Sequence, residues 1–278
     1  MLPARAKVNL WLKVVGRRPD GFHLLDSLVA FTDLADEIEV APASDLSLQI
    51  VGPGAASLEG DSDNLVLKAA RLLAGRAGVA PRAALRLTKR IPVAAGLGGG
   101  SADAAAALLA LIELWRIAMP QEELFDLAAT LGADVPMCLV GRPALASGIG
   151  ERLAPAPALP ACAILLVNPG VALPTPAVFG ARQGSFSAAL PIGDGWQDLG
   201  DFARDLARRG NDLTEAAISL RPEVADVLAR LQRSDGAAHA AMSGSGATCF
   251  ALYGTIEEAQ RAASLLPASW WWHAGRLV

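Results

Sequence analysis

The sequence has few of the residues that build metal sites and disulfide frameworks. It contains three cysteines and three histidines, and neither set has the spacing of zinc ligands. The cysteines, Cys138, Cys162 and Cys249, are odd in number, widely separated and set among apolar residues. This usage is typical of reduced core cysteines, so we expect a cytoplasmic protein without a disulfide framework.

Charge of one sign and long apolar runs are also scarce. The net charge is −4, which gives no general attraction to nucleic acid or to an anionic membrane. The longest apolar run of the central helix, Ala104 to Ile112, is well short of the roughly 18 residues that a membrane span needs. The first residues, Met1 to Lys7, lack the apolar core of a signal peptide. We therefore expect no nucleic-acid partner and no membrane association.

Length and composition indicate a globular chain with a large core. Hydrophobic residues make up 53% of the 278 residues, and charged residues 19%, which argues against disorder. The most linker-like stretch is 155–160, so we expect an N-terminal domain over residues 1–155 and a C-terminal domain over 156–278. Strands and helices follow each other without strict βα alternation, which favours an α+β fold.

Hydrophobic periodicity predicts the elements. The predicted strands are 5–14, 22–31, 37–41, 46–51, 83–88, 137–140, 144–147, 152–155, 162–167, 239–242, 247–253 and 270–273. The predicted helices are 64–77, capped by Asp63 or Asn64, then 101–117, 121–131, a short helix starting at Thr175, 212–220, 222–233 and 256–265. Residues 52–63 are expected to form a loop, and 183–200 is the least patterned segment.

A glycine-rich stretch that runs directly into a helix is the most informative feature. Pro92 cannot lie in a central strand, and four of the five residues from Gly96 to Gly100 are glycine. Ser101 is a candidate N-cap, Asp103 suits a first turn, and the alanines that follow favour helix. Because helix N-termini attract anions, the stretch predicts a phosphate site.

Two common phosphate motifs fit this stretch poorly. A P-loop needs a lysine before Ser101, and a dinucleotide-binding fingerprint needs a glycine in place of Ser101. A flexible turn before a buried helix is the simpler alternative. The length of the glycine run and its position immediately before a helix favour the anion site.

Residues 92–102, Pro-x-x-x-Gly-Leu-Gly-Gly-Gly-Ser-Ala, closely resemble the ATP-binding motif of the GHMP kinases (galactokinase, homoserine kinase, mevalonate kinase and relatives). The resemblance covers nearly the whole chain and implies the GHMP kinase fold, with two domains and the active site in the cleft between them. Further matching motifs lie at 6–10, 17–23, 63–65, 131–136, 148–151, 174–179 and 211–213.

Two of these motifs are similar to those of one member of the superfamily. They are Asp-Gly-Phe-His at 20–23 and Pro-Thr-Pro-x-x-Phe at 174–179. That member is an ATP-dependent kinase that phosphorylates a hydroxyl of a small cytidyl substrate in the non-mevalonate route to isoprenoids. The resemblance therefore implies a small-molecule kinase that uses ATP and Mg²⁺ and acts as a monomer or homodimer.

The resemblance changes the interpretation of two charged residues. By pattern alone, Lys7 lies on a solvated strand face and Asp134 is a turn residue after Gly132. The resemblance implies that they are the catalytic pair. The aspartate would take or orient the proton of the attacking hydroxyl, and the lysine would neutralise charge on the transferred phosphoryl group.

The resemblance also implies the ATP-binding residues. The glycine-rich stretch would wrap the phosphates, with Mg²⁺ bridging them, and Asn64, Leu65 and Lys89 would lie near adenine. The ligands of the metal are not assigned. The residues of the stretch are Pro92, Val93, Ala94, Ala95, Gly96, Leu97, Gly98, Gly99, Gly100, Ser101 and Ala102.

A cytosine site is implied as well. Phe22 and Phe179 would stack on the two faces of the base, with polar contacts from His23 and Asn9, and Thr175 beside the pocket. Phe22 stands where the family more often has tyrosine. A second glycine cluster, with Gly244 and Gly246, would bring a turn close to the site, although a plain hairpin turn explains the same residues.

Two alternatives remain open at this stage. Another GHMP kinase, of the mevalonate or homoserine kinase type, would not need an aromatic pair at Phe22 and Phe179. A non-catalytic nucleotide-binding protein on the same fold would not need Lys7 and Asp134.

Overall fold

The computed structural model describes residues 1–58 and 64–278. The end of the predicted loop and the candidate cap Asp63 lie outside the described residues. The chain forms two compact units, and the expected domain boundary after residue 155 stays a prediction. The first unit consists of Met1–Lys7, Leu34–Val93 and Gly98–Arg142, and the second of Val8–Asp33, Ala94–Leu97 and Pro143–Val278.

Both units draw on two long strands, β1 (Leu2–Arg17) and β2 (His23–Ala41). The sequence predicts two separate strands in place of β2, which is wrong. The reason is that β2 changes partner without a break, pairing with one strand through Leu25–Val29 and with another through Glu37–Ala41. Alternation within each half is visible in the sequence, but the continuity of pairing is not.

The first unit packs helices on a sheet. Its elements are β3 (Leu46–Val51), a 3₁₀ turn (Ala55–Leu58), α1 (Leu65–Ala77), β4 (Ala83–Thr88), α2 (Gly99–Trp115), α3 (Gln121–Leu131) and α4 (Val135–Val140). β4 pairs antiparallel with β2 and parallel with β3. A hydrophobic core lies among these strands, α1, α2 and neighbouring residues of α3 and α4.

Local sequence signals set the ends of α1. The Asn64 side chain accepts a hydrogen bond from the Val66 backbone N–H at 2.9 Å, and Gly78 ends the helix in the left-handed region at φ 66°. Glycine is favoured there because it has no Cβ to clash. The predicted helix, with Asn64 as its cap and Gly78 as its end, is confirmed.

Two predictions around the glycine-rich stretch are wrong in detail. α2 starts at Gly99, not Ser101, because Gly98 adopts φ 65° and turns the chain so that the glycines form the first helical turn. Residues 137–140 are the end of α4 rather than a strand. Pro136 opens that helix, as proline commonly does, and so short an apolar run has no readable period.

The second unit contains six further strands and five helices among the described residues. They are β5 (Ala144–Gly148), β6 (Arg152–Pro155), β7 (Ala163–Asn168), α5 (Thr175–Ala181), α6 (Leu199–Arg209), α7 (Thr214–Leu220), α8 (Glu223–Gln232), β8 (His239–Met242), β9 (Cys249–Tyr253), α9 (Ile256–Ala263) and β10 (Trp271–Arg276). Four of these strands form an antiparallel sheet in the order β10-β7-β9-β8. β5 pairs with β2 and with β6, both antiparallel.

The helix α6 is missing from the predicted elements. It begins at Leu199, inside the poorly patterned stretch 183–200, and its buried residues Phe202, Ala203, Leu206 and Arg209 have helical spacing. The prediction misses this helix because one of the four is an arginine, a residue type that is usually exposed. Arg209, at its end, is buried and donates to the carbonyls of Leu190 and Pro191 at 2.9 and 2.8 Å. The Arg209 side chain therefore holds residues 190 and 191 in place, in a segment that has no regular secondary structure.

The mixture of helices with mainly antiparallel strands confirms the α+β class. Within residues 1–58 and 64–278, no helix combines the length and the apolar character that a membrane crossing requires.

Candidate functional site

In the first unit, Lys7 and Asp134 form an ion pair. The Nζ atom of Lys7 lies 3.2 Å from Oδ2 of Asp134, with the lysine side chain 9% exposed and the aspartate side chain 37% exposed. Asp134 stands immediately before α4, yet its side chain makes no capping hydrogen bond to that helix. Its carboxylate is therefore held by Lys7 and is open to solvent on one side, as a group that meets a substrate must be.

The start of α2 lies against this pair. A Cβ atom built on Gly98 would lie 2.5 Å from Cγ of Lys7, and the residue has φ 65°. Both features require glycine at this position. The first N–H groups of a helix have no partner within it, and the dipole favours negative charge beside them. The bare backbone and these donors suit a phosphate close to Lys7.

Leu65 and Asn64, predicted beside adenine, belong to the same unit. A Cβ atom on Gly100 would lie 3.6 Å from Cδ1 of Leu65, so Leu65 packs beside the glycine-rich stretch. Asn64 is buried, and its side-chain oxygen Oδ1 already accepts the hydrogen bond from Val66 N–H that caps α1. The adenine contacts of both residues stay predictions.

Lys89, also predicted beside adenine, has a different surrounding. It is 2% exposed, and its ammonium contacts the carboxylates of Asp36 and Asp103, the latter at 2.7 Å. Asp36 also accepts the backbone N–H of Arg90 and of Ile91 at 2.5 and 2.8 Å. The geometry gives Lys89 the role of joining the entry of the glycine-rich stretch to the first turns of α2, and it offers no support for an adenine contact.

This buried cluster holds two carboxylates and one ammonium. Burial raises the pKa of Asp103 to about 8, against the opposing attraction of Lys89. For Lys89, burial disfavours the charge, but Asp103 and Asp36 raise its pKa above the ordinary value. Oδ1 of Asp103 is buried and has no hydrogen-bond partner. A protonated Asp103 relieves the excess negative charge of the cluster.

Asp103→Asn is expected to change how stability depends on pH. The folded pKa of about 8 lies above the unfolded value of about 4, so the folded state binds this proton more tightly. The resulting stabilisation is fully present below about pH 4 and is lost as the pH rises through about 8. The free energy of unfolding of the wild type, relative to the variant, should therefore fall over this range. Denaturant unfolding at several pH values measures it, and parallel profiles would contradict the assignment.

In the second unit, the turn 243–246 packs against residues 94–97 of the glycine-rich stretch. The Thr248 hydroxyl donates to the Ala95 carbonyl at 2.5 Å, and a Cβ atom on Gly96 would lie 2.5 Å from the Gly246 carbonyl oxygen. The second glycine cluster is therefore more than a plain hairpin turn. Gly96 of the glycine-rich stretch has no side chain, which allows the two backbone segments to approach closely.

Asn9 and Thr175 both contact this turn. The backbone N–H of Asn9 donates to the Ser243 hydroxyl at 3.1 Å, and its side-chain amide donates to Ser27 at 2.8 Å. The Thr175 hydroxyl lies 2.8 Å from that of Ser245. The structure thus brings two of the predicted substrate residues to one turn.

The stacking of a base between Phe22 and Phe179 stays a prediction, and the structure gives the two rings different surroundings. Phe179 stacks on His23, with ring centroids 5.0 Å apart and planes inclined by 23°, while Phe22 is 59% exposed. The distance leaves no space for a base between His23 and Phe179. Phe22 precedes β2, which starts at His23, so the alternation of side chains along the strand does not fix the direction of the Phe22 ring.

Several residues around the site have no signal in the sequence. Ser243 and Thr248 look like ordinary turn and strand residues, and Asp36 lies within a strand. Their partners are far away in the chain, so only the folded structure shows the contacts. Among the described residues, 1–58 and 64–278, no group of three or more His, Cys, Asp or Glu is placed to hold a metal ion.

Two family models match the chain. The model for the GHMP kinases N terminal domain matches residues 64–142, and the model for the GHMP kinases C terminal matches residues 189–269. Together they cover more than half of the sequence.

Full-length relatives give a finer comparison. The chain is 53% identical to a 4-diphosphocytidyl-2-C-methyl-D-erythritol kinase of Paramagnetospirillum magneticum, over 97% of this chain and 95% of the relative. It is 52% identical to a protein of the same name from Rhodospirillum rubrum, over 99% and 91%. A crystal structure of 4-(cytidine 5'-diphospho)-2C-methyl-D-erythritol kinase superposes with a TM-score of 0.83 at 41% identity, covering 99% of this chain and 98% of the other.

Proposed function

The chain belongs to the GHMP kinases and, within them, to the 4-diphosphocytidyl-2-C-methyl-D-erythritol kinases, and on this premise we propose that it phosphorylates the 2-hydroxyl of that cytidyl substrate. GHMP kinases are ATP-dependent phosphotransferases that act on small molecules, and the predicted GHMP kinase fold is confirmed. The reaction belongs to the non-mevalonate route to isoprenoids. The observation that carries the proposal is the contact between Lys7 and Asp134 beside the glycine-rich stretch.

Asp134 and Lys7 are the catalytic residues of this proposal. As the hydroxyl oxygen bonds to the γ-phosphorus and the bond to the β–γ bridging oxygen breaks, Asp134 accepts or orients the hydroxyl proton. Lys7 holds the carboxylate in place and offsets the charge of the transferred group. The solvent-open side of Asp134 supports access of the acceptor.

Residues 92–102 bind the phosphates of ATP in this proposal. The support comes from the close approaches that require glycine at Gly96 and Gly98. Mg²⁺ accompanies ATP and neutralises phosphate charge when bound, and its protein ligands stay unassigned. Lys89 acts by fixing the stretch through Asp36 and Asp103, and Leu65 lies at its edge.

The cytosine end is assigned to the second unit. His23 and Phe179 form a stacked aromatic pair. We assign this pair to one face of the cytosine ring and Phe22 to the other face. Burial lowers the pKa of His23, and Arg17 and Arg182 lower it further. A neutral imidazole can both donate to and accept from a base. Asn9 and Thr175 complete the polar contacts.

Phe179→Ala is expected to raise the KM for the cytidyl substrate about 5- to 150-fold and to leave the KM for ATP nearly unchanged. Stacking of a base on an aromatic side chain contributes roughly 1–3 kcal/mol, and ATP does not use this ring. Steady-state kinetics with each substrate varied in turn measures both constants.

Val178→Ala is the matched control, because Val178 is fully buried in the same helix and has no ring. It should lower the melting temperature without a selective rise in either KM. Equal effects of Phe179→Ala on both substrates would show that the ring is only part of the core.

The alternative kinases are less well supported. Full-length relatives at about half identity carry the cytidyl kinase name, not that of a mevalonate or homoserine kinase. Phosphorus NMR of the product should show a new phosphomonoester beside an intact diphosphate, and a product with any other phosphate pattern would contradict the proposal. The cytoplasmic location, the oligomeric state and the placement of the active site in a cleft stay predictions.

A further inference from the structure

Ala94 adopts a backbone conformation that alanine rarely takes. Its φ is 55°, in the left-handed region, which outside glycine is disfavoured by about 5- to 150-fold. Within residues 1–58 and 64–278, the one other non-glycine residue with positive φ is Arg116, the C-cap of α2, where a left-handed residue is common. Ala94 lies at no helix end, and its side chain is exposed. Its conformation therefore needs support from elsewhere in the fold.

The support comes through the carbonyl of the next residue, Ala95. That carbonyl accepts a hydrogen bond from the Thr248 hydroxyl at 2.5 Å, and the Thr248 oxygen accepts one from Nδ2 of Asn168 at 2.9 Å. Oδ1 of Asn168 in turn accepts the Gly170 backbone N–H at 2.8 Å. Because a hydroxyl has a single proton and Asn168 already donates to its oxygen, the proton of Thr248 is directed at the Ala95 carbonyl.

This chain of hydrogen bonds is closed to water. Thr248 is fully buried, and Asn168 and Ala95 are buried as well. Asn168 ends β7 and Thr248 precedes β9, and these two strands pair in the interior of the four-stranded sheet of the second unit. A buried hydrogen bond of this kind is costly to leave unmade. It fixes the direction in which the chain continues from Ala94, so Ala94 cannot relax to a negative φ while the bond persists.

We propose that Thr248, oriented by Asn168, is a positioning residue that keeps Ala94 in its left-handed conformation and thereby keeps the glycine-rich stretch shaped for the phosphates of ATP. The inference rests on the proposed function of that stretch and adds to it two residues that act through the backbone of Ala95. The apparent affinity for a ligand falls with the fraction of protein in the binding-competent conformation. Loss of the Thr248 hydroxyl reduces that fraction without removing a contact to ATP.

The first test is calorimetric titration of ATP with Mg²⁺ into the wild type and Thr248→Val. The variant keeps the shape of the side chain and loses the hydroxyl, so it should bind ATP at least about fivefold more weakly. Thr248→Ser keeps the hydroxyl and should restore the affinity to within about threefold of the wild type. Thr32→Val is the matched control, because Thr32 is also fully buried, in β2, and its substitution should leave ATP affinity unchanged.

The second test repeats Thr248→Val in the Ala94→Gly background. Glycine takes positive φ about as readily as negative φ, so the hydroxyl should matter little there. Thr248→Val should then weaken ATP binding by less than about twofold relative to Ala94→Gly alone. Arg116→Gly is the matched control, because it relieves a nearly identical φ of 54° at the end of α2. In that background Thr248→Val should keep its full effect.

A purely structural role for Thr248 predicts a different result. Thr248→Val would then lower the melting temperature together with the ATP affinity, and Ala94→Gly would not reduce either loss. Equal losses with and without Ala94→Gly, or no loss of ATP affinity in Thr248→Val, would overturn the positioning role and leave the proposed function in place. Wild-type protein that binds no ATP would overturn the proposed function and this inference with it.

Discussion

Asp134→Asn is expected to lower kcat for the cytidyl substrate by about 10²–10⁴-fold and to leave the KM for ATP close to the wild-type value. The substitution keeps the size of the side chain but removes the carboxylate that accepts or orients the hydroxyl proton, a contribution of this order in general acid–base catalysis. It also removes the charge that holds Lys7 at 3.2 Å. Steady-state kinetics and ATP binding by calorimetry measure the two quantities.

Asp201→Asn is the matched control for this substitution. Asp201 is 39% exposed and lies 3.4 Å from Arg204, so it resembles Asp134 in exposure and in pairing. It should retain wild-type turnover. Turnover by Asp134→Asn within twofold of the wild type would mean that Asp134 is the plain turn residue its sequence position suggests.

Gly98→Val is expected to weaken ATP binding at least tenfold and to lower kcat as well, while the protein stays folded. The new Cβ would lie 2.5 Å from Cγ of Lys7, and the residue would be held at φ 65°. Such a backbone conformation costs a branched residue about 1–3 kcal/mol. The loss of kcat follows because Lys7 must move. Calorimetry with ATP and the kinetics of phosphoryl transfer measure both effects.

Gly78→Val separates the steric effect from the backbone effect. Gly78 has φ 66°, but a Cβ atom there meets nothing within 4 Å. This variant should lose only the stability that the backbone conformation costs, about 1–3 kcal/mol, and bind ATP normally. ATP binding by Gly98→Val at the wild-type level would remove the glycine-rich stretch from the phosphate site.

The elements that could be predicted are those whose ends carry local signals. The side chain of Asn64 caps α1, and Gly78 ends it; both residues are recognisable without any tertiary contact. The sequence predicts the start of α2 two residues late, because the φ of Gly98 depends on packing against Lys7 and not on local preference. The short α4 had too few residues to show a period.

The proposed catalytic pair, Lys7 and Asp134, shows most clearly what hydrophobic patterning cannot predict. On pattern alone, Lys7 is a solvated strand residue and Asp134 a turn residue. Their identification came from the family resemblance, and the structure adds that the two side chains meet. Neither the sequence pattern nor the family resemblance predicts the cluster of Lys89, Asp36 and Asp103, because it depends on three distant segments that meet in the core.

The contacts between the aromatic residues of the proposed cytosine site are also hard to predict from sequence patterns. The motifs pointed to Phe22 and Phe179, but the structure stacks His23 on Phe179. Which of two consecutive residues faces a distant helix depends on the exact start of β2, and strand ends are poorly defined by sequence. The contact between His23 and Phe179 could therefore not be predicted from the sequence, and the roles of Phe22 and Phe179 toward a base stay predictions.

The central claim is that this chain transfers phosphate from ATP to a cytidyl alcohol through Asp134. The most direct measurement is the transfer of labelled phosphate from ATP to 4-diphosphocytidyl-2-C-methyl-D-erythritol, mevalonate and homoserine by the wild type and by Asp134→Asn at equal enzyme concentration. The expected result is labelled product with the cytidyl substrate alone, and its near-complete loss in the variant. Comparable labelling of mevalonate or homoserine by the wild type, or equal labelling of the cytidyl substrate by both proteins, would contradict the claim.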